Sequence, residues 1–199
     1  MRLLFKASIV LIFLLVGQAY AWNPGRVVQI AIEEYRSDGV VVLGDSITQR
    51  APWDAGVDNF GCGGHTVNDA IRMFELVVSR QPRVLALWLG TNNALKKPKA
   101  FYDDYEKLLG KVYARLPQTK IIIIGMTPLA AGYADRNVRE FNAWLRDLSE
   151  LNGIPFIDTY SLITVNQLVD GIHPNAEAYE VLLSYICGAI EVERGGEGR

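Results

Sequence analysis

Three side chains in this sequence have the types and spacing to do chemistry together: Ser46, Asp170 and His173. Ser46 follows an apolar run, Val40-Val41-Val42-Leu43, in the segment Gly44-Asp45-Ser46-Ile47-Thr48. A strand that runs into a turn and then a helix exposes a hydroxyl at the rim of a sheet. That hydroxyl becomes a nucleophile only beside a general base. The chain has two histidines, His65 and His173, and His173 is the better base. It lies three residues after Asp170 in Asp-Gly-Ile-His, where the carboxylate can bond one ring nitrogen, fix the tautomer and leave the other nitrogen free for Ser46. Taken singly, both segments are also ordinary turn and cap sequences.

Attack of a serine on an ester carbonyl also needs donors aimed at the developing oxyanion. Two turns offer them. Asn59-Phe60-Gly61-Cys62-Gly63-Gly64 carries three glycines, which let a backbone N–H approach a substrate closely. Gly90-Thr91-Asn92-Asn93 brings amide side chains. Competing chemistries fit less well. Cys62 and His65 have a C-x-x-H spacing, but no second pair completes a tetrahedral metal site. Cys62 lacks an evident cationic partner other than His65 to make it a thiolate. The glycines miss the G-x-G-x-x-G spacing and follow the second strand rather than the first. The serine context is also not G-x-S-x-G. Neither a metal nor a cofactor is expected. Asp45 is left with a structural role in the serine turn.

The elements that must position these residues are readable from periodicity. Short apolar runs alternate with stretches of helical period, the pattern of an α/β protein with a parallel sheet. Strands are expected at residues 40–43, 57–59, 84–89, 120–125 and 155–158, the third and fourth apolar throughout, as in strands covered on both faces. Val67, Ile71, Phe74 and Val78 share a helical face, as do Tyr105, Leu108, Val112 and Leu116, and Val138, Phe141, Leu145 and Leu148. An opening helix is expected at 24–36 with Asn23 as its cap, and a last helix carrying Tyr179, Leu182, Leu183, Ile186 and Ile190 with Pro174 at its first position. Residues 191–199 read as a frayed tail. Trp53, Trp88 and Trp144 read as packing residues. Ser46, Gly64 and Asn92 each fall just after an expected strand, where such sheets bind ligands.

The chain has 199 residues, half of them apolar and about a fifth charged, which suits one globular domain at 22–199. A net charge of -2, with no basic cluster, argues against nucleic acid or anionic lipid surfaces as partners. Residues 1–21 read as a signal peptide. Arg2 and Lys6 precede an apolar run from Ala7 to Val16, and Ala19-Tyr20-Ala21 offers a cleavage site. The run is too short to span a bilayer, so a secreted or periplasmic protein without a stable membrane span is expected. Such a compartment permits a disulfide between Cys62 and Cys187, the two cysteines, although buried free thiols are the simpler expectation.

Taken in order, Gly44-Asp45-Ser46-Ile47, the turn at 59–64, Gly90-Thr91-Asn92-Asn93 and Asp170-Gly171-Ile172-His173 resemble the four blocks of the SGNH, or GDSL-type, hydrolase family. The turns Asn-Phe-Gly-x-Gly-Gly and Leu-Trp-Leu-Gly-Thr-Asn-Asn are similar to those of its platelet-activating-factor acetylhydrolase catalytic-subunit branch. The resemblance implies a flavodoxin-like three-layer α/β/α sandwich around a five-stranded parallel sheet. It also implies Ser46 as nucleophile with its own N–H as an oxyanion donor, Gly64 N–H and the Asn92 side chain as the other donors, and His173 with Asp170 completing the triad. The expected substrate is a carboxylic ester of a small molecule, lipid or carbohydrate, with a short acyl group. An acyltransferase to envelope carbohydrate on the same triad, or a binding module without the reaction, are the alternatives. His65 departs from the family, in which an acidic residue often follows the last glycine. It is expected to tune the substrate pocket or to cap the next helix.

Overall fold

A computed structural model of the chain describes residues 24–32, 39–130 and 134–195. The expected signal peptide and the Asn23 cap lie outside the described residues. In chain order the elements are α1 (Pro24–Ile32), β1 (Val40–Gly44), α2 (Ser46–Arg50), β2 (Val57–Gly61), α3 (Val67–Arg80), β3 (Val84–Trp88), α4 (Thr91–Lys96), α5 (Phe101–Arg115), β4 (Lys120–Ile124), α6 (Asp135–Asn152), β5 (Phe156–Ile157) and α7 (Ala176–Gly195). Single 3-10 turns stand at Pro98–Ala100 and Val165–Gln167.

The five strands pair in parallel in the order β2-β1-β3-β4-β5. Because side chains alternate along a strand, the sheet feeds two separate cores. Val41, Leu43, Leu85, Leu87, Ile121 and Ile123 pack with α1, α3, α5 and α6 on one face. Val40, Val42, Val84, Ala86, Trp88, Ile122 and Ile124 pack with α2 and α7 on the other. Covering both faces explains why the central strands are continuously apolar, and the result is the expected three-layer sandwich.

The order also follows from connection handedness. Right-handed crossovers put the connections that step toward β5 on one face. The step from β1 back to β2 then carries α2 on the other face, where it is found. The direction of winding therefore switches at β1 and β3, and a crevice opens beyond their carboxyl ends. At one sheet edge, Arg26 of α1 donates to the carbonyls of Asn59 and Gly61 on β2 (2.8 and 3.2 Å).

Two local expectations are corrected. Pro174 does not begin α7. It forms an isolated bridge with Leu168, and Asn175 caps the helix, its Oδ1 accepting from Ala178 N–H at 2.8 Å. The tail is also not frayed from residue 191, since α7 continues to Gly195 and the carbonyl of Glu193 accepts from Lys120 Nζ at 3.1 Å.

Candidate active site

Ser46 opens α2, directly after β1. The turn is held by Asp45, which caps the helix with Oδ1 accepting from Ile47 N–H at 2.9 Å. Two glycines let this short helix sit tight on the sheet. A Cβ on Gly44 would lie 1.8 Å from Thr48 Oγ1, and one on Gly61 would lie 2.2 Å from Gln49 N. From α7, in the same layer, the hydroxyl of Tyr179 donates to the Ile47 carbonyl at 2.9 Å. The turn and short helix that carry the serine are thus held by Asp45, by the close approach of Gly44 and Gly61, and by Tyr179.

His173 reaches Ser46 from the loop before α7. Its Nε2 stands 2.8 Å from Ser46 Oγ, and its Nδ1 stands 2.7 Å from Asp170 Oδ2. The other carboxylate oxygen of Asp170 accepts from the amides of Ile172 (3.1 Å) and His173 (2.9 Å). Partial burial works against the charge on Asp170. The amide and ring of His173 and the Ile172 amide outweigh it, and they hold the carboxyl down to about 2. An ionised Asp170 keeps the proton of His173 on Nδ1, so Nε2 accepts from the serine hydroxyl. Arg50, at the end of α2, approaches Asp170 Oδ2 at 3.9 Å.

Strand order places the remaining candidates. β1 lies between β2 and β3, so the turns after β2 and β3, with Gly64 and Asn92, flank the turn that carries Ser46. Gly64 has φ +80°, and the carbonyl of Cys62 accepts from His65 N–H at 3.2 Å. These are marks of a type II turn with glycine at its third position. Among the described residues, no protein acceptor takes the Gly64 N–H. Asn92 is buried on α4, and its Nδ2 donates to the His65 carbonyl at 3.1 Å, which ties the two turns together. Its neighbour Asn93 accepts from Val67 N–H at 2.9 Å and so fixes the start of α3.

Other expectations sort out as follows. His65 is buried, with Nδ1 unpartnered, and burial favours its neutral form against the pull of Asp69. It does not cap α3. Thr66 does, in a capping box with Asp69. Cys62 and Cys187 are free thiols, and burial pushes Cys62 up to about 12, with Arg26 opposing. Trp88 is buried, with Trp53 against its edge, and Trp144 packs into an aromatic group with Phe101, Tyr102 and Tyr105. Sequence reasoning passed over Gln49 and Arg50. Their spacing of three and four from Ser46 along one helix was the available signal.

Asp45 is the buried carboxyl of the site, whereas Asp170 is exposed. Burial raises it to about 6, with the Ile47 amide and Thr91 pulling the other way, and its Oδ2 has no hydrogen-bond partner.

Comparison with known proteins narrows what such an arrangement belongs to. Platelet-activating factor acetylhydrolase IB subunit alpha2 of Rattus norvegicus is 26% identical over 110 residues, which are 54% of this chain and 47% of that protein. The Homo sapiens protein of that name is 28% identical over 96 residues, 47% of this chain and 41% of that one. The chain thus spans about half the length of the curated relatives it matches. Among solved structures, a GDSL-like lipase from Bacteroides thetaiotaomicron superposes with a TM-score of 0.68 at 22% identity, covering 80% of this chain and 90% of that one. A lipase/acylhydrolase from Enterococcus faecalis gives 0.65 at 22%, covering 77% and 94%. These structures share the fold. The profile of the GDSL-like Lipase/Acylhydrolase family matches residues 50–181, about two thirds of the chain. That stretch begins just after the Ser46 turn and takes in the other three motifs. On that match, and with the sheet and its loops in agreement, the chain belongs to the GDSL-like lipase/acylhydrolase family.

Proposed function

We propose that this protein is a serine esterase that hydrolyses carboxylic esters through an acyl-enzyme. The observation that carries the reading is the unbroken relay from Ser46 Oγ through His173 to Asp170, at 2.8 and 2.7 Å, where the sheet's winding reverses. His173 Nε2 takes the hydroxyl proton as Ser46 Oγ bonds to the carbonyl carbon. Asp170 steadies the imidazolium. The oxyanion is received by the N–H groups of Gly64 and Ser46 and by the Asn92 amide. Collapse breaks the ester C–O bond, with the leaving alkoxide taking the proton back from His173. Water, deprotonated by the same nitrogen, then releases the acid and restores Ser46.

Short acyl groups, acetyl among them, fit this reading best, supported by the acetylhydrolase names of the relatives. The charged start, apolar run and Ala19-Tyr20-Ala21 of residues 1–21 support a secreted or periplasmic protein, which N-terminal sequencing of the exported protein would reveal as a chain starting at Trp22.

Ser46→Ala and His173→Ala should each lower kcat/KM on p-nitrophenyl acetate by roughly 10⁴-fold or more, since triad members act as a unit. Near-full activity in a folded Ser46→Ala protein would end the proposal. A series of p-nitrophenyl esters of increasing chain length should show kcat/KM falling beyond the short acyl groups.

A further inference from the structure

Gln49 lies one turn along α2 from Ser46, and its carbonyl and side-chain oxygens join that helix to β2 and to the turn after it. Its N–H donates to the Asp45 carbonyl at 2.9 Å, and its own carbonyl accepts from Asn59 Nδ2 at 3.2 Å. Its side-chain Oε1 accepts from the Gly63 N–H at 2.7 Å. The absence of a Cβ on Gly61 lets the Gln49 backbone approach this closely.

The Gly63 contact falls at a sensitive place. In the turn Cys62-Gly63-Gly64-His65, the Gly64 N–H belongs to the central peptide, and that peptide reverses direction if a type II turn becomes type I. Two adjacent glycines make the reversal cheap. The turn is anchored from outside at Cys62, whose N–H donates to the Gly44 carbonyl at 3.1 Å, and at Gly63 and His65. Asn92 Nδ2 holds the His65 carbonyl, and Gln49 Oε1 holds the Gly63 amide. A half-buried acceptor on the nucleophile's own helix thereby sets the oxyanion donor relative to Ser46.

We infer that Gln49 is a positioning residue for this reaction: by accepting the Gly63 N–H it fixes the Cys62–His65 turn with the Gly64 N–H turned toward the Ser46 adduct. The inference rests on the serine-esterase reading above. It concerns the transition state, because an oxyanion exists only after attack, so loss of Gln49 should affect turnover more than substrate binding.

Gln49→Met keeps the length of the side chain and removes the strong acceptor. Its kcat on p-nitrophenyl acetate should fall about 10- to 100-fold with KM changed by less than about threefold. The inhibition constant of phenylboronic acid, which forms a tetrahedral adduct with an active serine, should rise by a similar factor. A folded variant with kcat within about twofold of the parent overturns the inference, as does a rise in KM alone. A second measurement needs no variant. In the parent protein, the boronic acid should shift the Gly64 amide resonance and leave the Gly63 amide protected from hydrogen exchange. A response at Gly63 instead of Gly64 overturns it. Ser46→Ala separates the two readings: an inactive Ser46→Ala beside a fully active Gln49→Met removes only the role of Gln49, whereas an active Ser46→Ala removes the esterase reading itself.

Discussion

Asp45 stands next to the nucleophile, and its burial has a cost that pH can reveal. A carboxyl raised from 3.8 to about 6 takes up its proton in the folded state before it does in the unfolded chain. It therefore contributes stability that is fully present below about 3.8 and lost as pH rises through about 6, a span corresponding to about 3 kcal/mol. Asp45→Asn retains an oxygen to accept from Ile47 and carries no charge. Measured by urea unfolding, the variant should gain on the parent as pH rises from 4 to 7, by up to that amount. A stability difference that stays flat across this range would show that Asp45 ionises as an ordinary surface carboxyl. Asp170 behaves oppositely, held near 2 by the groups it orients, so the two acids of the site differ because one is enclosed and the other hydrogen-bonded. Sequence spacing suffices to pair Asp170 with His173, because a three-residue turn brings them together locally. It cannot reveal the contact of Gln49 with Gly63, since a bond to a backbone amide 14 positions away leaves no pattern in residue types.

At the scale of elements, the central strands were legible because burial on both faces demands apolar runs, and β1, β3 and the Ile121–Ile124 part of β4 obey that demand. The start of α7 was not, because Pro174 suits either a first helical turn or a bridge, and pairing with Leu168 decides for the bridge. The short helix α4, Thr91–Lys96, was likewise unread. Its residues resemble a turn, and its asparagines are fixed by distant partners in the loop after β2 and in α3. What the sequence displays without explaining is the glycine of β2. Gly61 faces the backbone of α2, which cannot yield as a side chain would. Gly61→Ala should therefore destabilise the protein by about 1–3 kcal/mol and lower esterase activity per folded molecule by displacing α2. Gly188→Ala, on α7 with open space around it, should leave activity unchanged and raise stability by about 0.5–1 kcal/mol. Thermal unfolding and activity on the same preparations distinguish the two, and equal behaviour would contradict the role given to Gly61.

Over the whole molecule, the site is assembled from four separate connections rather than from one motif. Family membership was legible because each connection keeps its own short signature, whereas the chain-end reading at 1–21 rests on composition alone. Substrate preference is not written in those signatures, because the loops that line an acyl pocket carry no fixed spacing. The pairing of Ser46 with His173 spans 127 positions, and its two halves come from distant stretches of sequence, one just after the first strand and the other just before the last helix. On the esterase reading, completion of the site is therefore a late event in folding. During refolding, activity should appear only after α7 has docked, lagging the burial of Trp88 within the sheet, and recovery of activity in step with the earliest tryptophan signal would refute this order. On that reading the site itself reports completed folding, and a chain stalled before its final helix should be chemically silent.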